Sequence, residues 1–117
     1  MPSLMVNMWV VEDGRQEELV DGLYSLYGNL RSLERFISGQ ILRGSNPTRY
    51  VSMATMRSVE DCDRAVENPR TRALLRGLRG IARFDHDTYR ALRRFEPDTS
   101  GATTRSTPAI SQSRERR

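Results

Sequence analysis

The side chain best suited to proton transfer in this chain is a histidine that stands between two acidic residues. His86 lies in the run Asp85-His86-Asp87 and is the only histidine among the 117 residues. Imidazole exchanges its proton near neutral pH, and a neighbouring carboxylate raises its basicity. His86 is therefore a candidate catalytic base, although a solvated loop histidine between two charged neighbours would show the same local sequence.

An amide interrupts the apolar segment near the start of the chain. Asn7 lies within Leu4–Val11 (LMVNMWVV), and a buried amide needs hydrogen-bond partners. It is the second candidate catalytic residue, because its amide could orient a bound substrate, for example at a carbonyl. Alternatively, it pairs with a side chain on a neighbouring strand. Trp9 shares its face and is predicted to be pocket wall or dimer core.

Further candidates for ligand contact lie on two later segments that alternate like β-strands. In Arg49–Met56 (RYVSMATM), the side chains at positions 50, 52, 54 and 56 share one face. The small side chains of Ser52 and Ala54 leave room for a flat polycyclic ligand. On the preceding strand, Arg43 is a candidate to hold an anionic ligand. The predicted substrate-binding residues are Trp9, Tyr50, Ser52, Met56 and Arg43.

Apolar alternation predicts the strands that must position these side chains. The four predicted strands are Leu4–Val11, Ile37–Arg43, Arg49–Met56 and Thr88–Phe95. In the first strand, Asn7 and Trp9 lie on the face opposite to Val6, Met8 and Val10. The run Asp85-His86-Asp87 is expected just before the last strand.

Three helices are predicted between these strands. Leucines at steps of three and four over residues 19–33 indicate a long first helix. Ser58 and Asp61 match a capping box that starts the second helix, and Pro69 ends it because proline disfavours helical conformation in the preceding residue. The third helix is predicted over Thr71–Arg83. Its arginine stripe is either a solvated face or a contact for an acidic partner such as a carrier protein.

The order of these elements predicts an α+β protein. The order is β-α-β-β-α-β with the second helical segment split in two, which is the ferredoxin-like pattern with an antiparallel sheet. Helices cover one side of such a sheet, and the other side is also apolar here. We therefore expect two copies to pack sheet to sheet as an isologous homodimer. The ligand cavity is expected between the two sheets.

Length and composition narrow the range of functions. Residues 1–97 are predicted to form one domain, and residues 98–117, rich in Ser, Thr and Arg, to form a disordered tail. The chain has no apolar run near the ~20 residues of a membrane helix and no secretory signal, so we expect a cytoplasmic protein without membrane contact. The net charge of +4 is shared between domain and tail, which argues against nucleic-acid binding. The single cysteine argues against a disulfide or a thiolate metal cluster, and no metal site is predicted.

The segment from Gln40 to Pro69 resembles the centre of the antibiotic biosynthesis monooxygenase family. It combines an apolar strand, a polar turn, a second alternating strand and a capped helix. The most specific matches are residues 39–43 (GQILR), 49–51 (RYV) and 58–61 (SVED). Members often carry Trp-Glu-Ser before the helix, where this chain has Met56-Arg57-Ser58. The order of elements is similar to that of the family from Leu4 to about Phe95.

The resemblance implies a dimeric α+β barrel that acts on an aromatic polyketide in antibiotic biosynthesis. Such enzymes oxidise phenolic or anthrone rings to quinones, many without a cofactor, while a ring-opening branch uses reduced flavin supplied by a partner. The protein then needs to deprotonate a phenol, hold the resulting anion and exclude water. We therefore expect a small monooxygenase with His86 and Asn7 as catalytic residues.

Three other functions share parts of this sequence pattern. Haem-degrading relatives use an asparagine on the first strand, a tryptophan ending the third strand and a histidine on the later helix. Asn7 matches the first position, but Met56 replaces the tryptophan and residues 71–83 contain no histidine, which disfavours haem degradation. The same barrel could instead serve a polyketide cyclase that uses acid–base groups alone, or a non-catalytic ligand-binding or partner protein.

Overall fold

The structure is a computed structural model and describes residues 2–98. It contains, in chain order, β1 (Ser3–Val11), α1 (Gln16–Leu30), β2 (Phe36–Arg43), β3 (Arg49–Met56), α2 (Val59–Glu67), α3 (Pro69–Arg79) and β4 (Ala82–Arg90). The predicted tail lies outside the described residues, apart from Asp98.

The four strands form one antiparallel sheet in the order β2-β3-β1-β4. The helices pack on one face of this sheet, so the predicted ferredoxin-like α+β fold is confirmed. Every second residue of β1, from Ser3 to Val11, is buried under the helices. The alternate residues, among them Val6 and Met8, point to the opposite face, which we call the open face.

The first helix buries the leucine stripe that its sequence predicts. Leu19, Leu23, Leu26 and Leu30 are at most 3% exposed and pack in one cluster with buried residues of β1 and β3. These positions recur at the helical period and face the sheet because burying apolar surface stabilises the fold. The helix ends at Leu30, so Leu33 follows in the connection to β2.

The second and third helices begin at side-chain caps. Ser58 Oγ accepts a hydrogen bond from the Asp61 backbone N–H and donates one to Asp61 Oδ2, which confirms the start predicted for α2. Asn68 Oδ1 accepts hydrogen bonds from the backbone N–H groups of Arg70 and Thr71 at the start of α3. These caps satisfy N–H groups that have no partner within a helix.

The last strand lies earlier in the chain than its sequence predicts. β4 spans Ala82–Arg90 rather than Thr88–Phe95, and α3 ends at Arg79 rather than Arg83. The reason is its pairing, because β4 follows β1 along its whole length, from Val11 opposite Ala82 to Ser3 opposite Arg90. As an edge strand with polar residues at many positions, it lacks the apolar alternation that reveals a strand in a sequence. His86 therefore lies within a strand and not in a loop before one.

Gly28 of α1 borders open space, whereas Gly22 packs against α3. Alanine substitutions at the two positions should therefore change the stability in opposite directions. A glycine inside a helix is about 1 kcal/mol less favourable than alanine. We expect Gly28→Ala to raise the free energy of unfolding by up to about 1 kcal/mol, because no atom lies within 4 Å of the added Cβ.

Gly22→Ala should instead lower the free energy of unfolding by about 1 kcal/mol, because the added Cβ would overlap the buried Leu78 side chain of α3 and overpacking costs more than the propensity gain. Urea denaturation of both variants measures the difference. Equal stabilisation by both substitutions would contradict close packing of α1 on α3.

Candidate functional site

A row of side chains crosses the helix-facing side of the sheet in register. Ile41 of β2 pairs with Ser52 of β3, Ser52 with Asn7 of β1, and Asn7 with His86 of β4. Neighbouring strands are about 4.8 Å apart, so this row spans about 14 Å. We call Ser52, Asn7 and His86 the polar row. It unites both candidate catalytic residues with one of the predicted binding residues.

Asn7 and His86 form a direct hydrogen bond. The distance between His86 Nδ1 and Asn7 Oδ1 is 2.7 Å. Because a carbonyl oxygen only accepts, the Nδ1–H of a neutral imidazole donates to it and Nε2 keeps the free electron pair. Asn7 is 6% exposed, whereas His86 remains accessible to solvent. The pair thus combines a fixed ring orientation with a nitrogen that is free to accept a proton.

Burial and a neighbouring carboxylate act in opposite directions on the pKa of His86. Successive side chains of a strand point to opposite faces, so Asp85 and Asp87 lie on the open face while His86 faces the helices. Partial burial lowers the pKa of His86, and the charge of Asp87 opposes this shift without reversing it. The neighbouring carboxylate therefore acts in the expected direction, but burial of the ring outweighs it and the pKa is lowered.

Ser52 links the polar row to the aromatic core. Trp9 Nε1–H donates a hydrogen bond to Ser52 Oγ over 2.9 Å, and both side chains are at most 1% exposed. The Trp9 ring also stacks on Phe84 of β4, with 4.4 Å between ring centroids. Trp9 therefore belongs to the sheet–helix core of one chain and not to the open face on which a dimer would form.

Tyr27 of α1 is a candidate site residue that was not predicted from the sequence. Burial raises the pKa of its phenol, while interactions with the side chains of Ser52 and Asn7 oppose that shift. The hydroxyl is consequently protonated at neutral pH and reaches the polar row from the helix above it. The signal was present, because Tyr27 lies four residues after Leu23 on the buried stripe of α1.

A cleft of about 440 Å³ lies between α1 and β2, next to the polar row. Its lining residues are Tyr24, Tyr27, Gly28, Arg31, Phe36, Gly39, Gln40 and Ile41. Tyr27 lines this cleft and also interacts with the side chains of Asn7 and Ser52. At Gly39, an added Cβ would come within 3.0 Å of the Tyr27 ring and 3.2 Å of the Phe36 ring. The glycine therefore lets both rings approach the β2 backbone.

The other predicted binding residues are placed apart from this centre. Tyr50 is 4% exposed and Met56 is 1% exposed, both in the core. Arg43 is exposed at the end of β2, opposite Tyr50. Because these side chains and the polar row face the helices, a cavity that contains them lies between sheet and helices of one chain. The prediction that places it between two sheets is wrong for these residues.

Neither a group of metal ligands nor a membrane-spanning helix is found among residues 2–98. Within residues 2–98, no three histidine, cysteine or acidic side chains are grouped so that they could hold a metal ion. Cys62 is buried, and burial raises the pKa of its thiol. In the same part of the chain, each helix is too short or too polar to cross a membrane.

Comparison with known proteins identifies the fold through solved structures. No family model matches the chain, and no curated protein matches it. SnoaB, a cofactor-independent oxygenase from Streptomyces nogalater, is 20% identical with a TM-score of 0.75, covering 83% of this chain and 98% of SnoaB. Rv0793 from Mycobacterium tuberculosis is 11% identical with a TM-score of 0.73, covering 82% of this chain and 100% of its own.

A third similar structure comes from Nitrosomonas europaea and is provisionally assigned as an antibiotic biosynthesis monooxygenase. It is 13% identical with a TM-score of 0.71, covering 78% of this chain and 90% of its own. At these identities the likeness establishes a shared fold. The chain thus has the ferredoxin-like fold of monooxygenase-type structures, in agreement with the resemblance of its Gln40–Pro69 segment.

The lowered pKa of His86 predicts how the protein responds to acid. We expect the imidazole to titrate below its usual value of about 6.5. As the pH falls below that value, the unfolded chain binds the proton first, so the free energy of unfolding should decrease as the pH falls through the pKa of the folded state.

NMR titration measures this directly, because one histidine gives one set of ring signals. In the control variant Asp87→Asn the pKa should fall further, because the opposing charge is gone. Urea denaturation from pH 7.5 to 5.5 should show that the free energy of unfolding depends less on pH in His86→Gln than in the wild type. A measured pKa above the usual value would contradict the partial burial of the ring.

Proposed function

We propose that the protein is a small oxygenase that oxidises a phenolic or anthrone-type ring of an aromatic polyketide, without a metal or a tightly bound flavin. The observation that carries this proposal is the Asn7–His86 pair, in which a neutral imidazole keeps Nε2 free, together with the Tyr27 hydroxyl beside an aromatic cleft. The shared fold with SnoaB, described as a cofactor-independent oxygenase, supports it.

In this proposal the protein supplies acid–base groups and the substrate supplies the electrons. His86 accepts the proton of a phenol or anthrone at Nε2. Tyr27 donates a hydrogen bond to the resulting anion, and Asn7 holds both His86 and Tyr27 in orientation. The electron-rich anion then reacts with dioxygen at the ring carbon. One oxygen atom becomes the quinone carbonyl and the other leaves as water, so that no external reductant is consumed.

The lining of the cleft fits this chemistry. Its aromatic rings offer flat apolar surfaces to a polycyclic ligand, and a volume of about 440 Å³ falls within the range of small-molecule sites. The Tyr27 ring stands at the boundary between the cleft and Asn7. A ligand in the cleft therefore contacts Tyr27, and Asn7 connects Tyr27 to His86 at the opposite edge of the sheet.

The open face supports the proposal of a homodimer. Its central strands carry partly exposed apolar side chains, which are Leu4, Val6, Met8, Val10, Val51 and Met53. Met8 is 54% exposed at the middle of this surface. A contiguous apolar surface of this kind marks an interaction site, and two open faces packed on each other would bury it. We propose that the dimer closes the α+β barrel while each chain keeps its own polar row.

Substituting a charge at the centre of the open face should separate the two chains. Met8→Arg should shift the sedimentation coefficient from that of a dimer to that of a monomer, because the proposed interface would have to bury one added guanidinium group from each chain. The single chain should tolerate the change, since position 8 lies opposite Asp85 in register. Leu92→Arg, at a site that is 91% exposed, is the control and should remain dimeric. A monomeric wild type would refute the proposed dimer.

Oxygen uptake with an anthrone tests the proposed reaction. Purified protein should consume one dioxygen per quinone formed from 1,8-dihydroxyanthrone, without added metal or flavin. His86→Gln should reduce kcat on the order of 100-fold, because general-base catalysis contributes that much or more. Tyr27→Phe should also reduce kcat, whereas the matched variant Tyr89→Phe, whose hydroxyl lies on the open face, should not.

The possible outcomes of this experiment distinguish the oxygenase from the alternative functions. Loss of activity in Tyr27→Phe with full activity in His86→Gln would remove His86 as the base and keep the oxygenase. A poly-β-keto substrate that is cyclised at an unchanged oxidation level would favour the cyclase. Activity only with added reduced flavin would indicate a flavin-assisted reaction. Binding of the anthrone without turnover would indicate a ligand-binding protein.

A further inference from the structure

The cleft between α1 and β2 combines aromatic walls with one cationic side chain. Tyr24, Tyr27 and Phe36 contribute three aromatic rings, and Arg31 contributes a guanidinium group. Aromatic faces pack well on flat conjugated rings. A guanidinium pairs with a carboxylate through two parallel hydrogen bonds and therefore selects for planar anions. The lining thus favours a ligand that is both flat and negatively charged.

The charge of Arg31 is available to a ligand. Arg31 follows the last turn of α1, is exposed, and forms no ion pair among residues 2–98. Arg15 and Arg64 are already paired, Arg15 with Glu18 at the start of α1 and Arg64 with Asp61 within α2. A guanidinium without an anionic partner beside an aromatic cleft is free to bind an acid group.

Arg31 and Tyr27 lie on the same side of the helix end. The Arg31 backbone N–H donates a hydrogen bond to the Tyr27 carbonyl oxygen over 3.0 Å, which is one helical turn. Residues four apart have Cβ atoms about 6 Å from each other. One ligand could therefore meet the cation with its acid group and the Tyr27 hydroxyl with a ring oxygen.

We propose that this cleft binds an aromatic carboxylate, with the carboxylate on Arg31 and an oxygen substituent of the ring toward Tyr27. The inference rests on the proposed function in that it names the substrate class of the same site. Gly39 shapes the cleft, because it permits the Tyr27 and Phe36 rings to lie against β2. Arg31 then selects the charge of the ligand, and Gly39 determines the shape of the space for its rings.

A pair of probes that differ only in charge tests this assignment. Isothermal titration calorimetry compares anthraquinone-2-carboxylate with the neutral anthraquinone-2-carboxamide. The wild type should bind the carboxylate about tenfold more tightly, as expected for a charge-assisted hydrogen bond. In Arg31→Gln the two probes should bind equally. The matched control Arg35→Gln, in the connection outside the cleft lining, should keep the preference.

A second variant tests where the probes bind, independently of their charge. Gly39→Ala should lower the affinity for both probes by the same factor, because the added Cβ displaces the Tyr27 and Phe36 rings. Far-ultraviolet circular dichroism confirms that each variant is folded. Equal binding of both probes by the wild type, a preference that persists in Arg31→Gln, or binding that is unaffected by Gly39→Ala would overturn the assignment.

The failure of this inference is distinguishable from failure of the proposed reaction. Preferential carboxylate binding without oxygen uptake would refute the oxygenase and leave the carboxylate site intact. Oxygen uptake that is equally fast with acidic and neutral anthrones, and unchanged in Arg31→Gln, would refute the carboxylate site and leave the oxygenase intact.

Discussion

The register of β1 between β3 and β4 is the constraint on which the candidate site depends. β1 is a central strand, and its pairing places Asn7 opposite Ser52 on one side and opposite His86 on the other. A shift of one residue would turn the side chains of β1 to the other face of the sheet. Asn7 would then lie on the open face, and His86 would lose its hydrogen-bond partner. The chemistry proposed for this chain thus follows from how its strands align.

The same residues also meet a demand of folding. An amide and a hydroxyl buried in an apolar core destabilise a protein unless they form hydrogen bonds. Here Trp9 donates to Ser52, and Asn7 accepts from His86, so groups on three strands satisfy one another. The Tyr27 hydroxyl of α1 lies beside Ser52 and Asn7 and interacts with both side chains. A site that satisfies its own buried polar groups is held rigidly before a ligand arrives, which is an advantage in positioning a reacting group.

Signals within short segments explain which parts of the fold could be predicted. The leucine stripe of α1, the alternation of β3 and the cap at Ser58 each depend on residues close together in the chain, and all were predicted. The range predicted for β4 lay too far along the chain, because the position of this strand follows from pairing with β1 and not from its own alternation. Tyr27 was missed as a site residue for a related reason. Its sequence position indicates burial, but not that its hydroxyl would reach Asn7 and Ser52.

The sequence by itself determined the order of elements, the ferredoxin-like fold and the set of polar side chains available for chemistry. Only the tertiary structure decided which of these side chains meet. Asn7 and His86 are 79 residues apart in the chain, and Trp9 and Ser52 are 43 apart, yet each pair forms a hydrogen bond. Tertiary packing also placed the site on the helix side of the sheet and gave Tyr27 its position above it. The physical reason is that local propensity acts over a few residues, whereas strand register and helix docking depend on long-range packing.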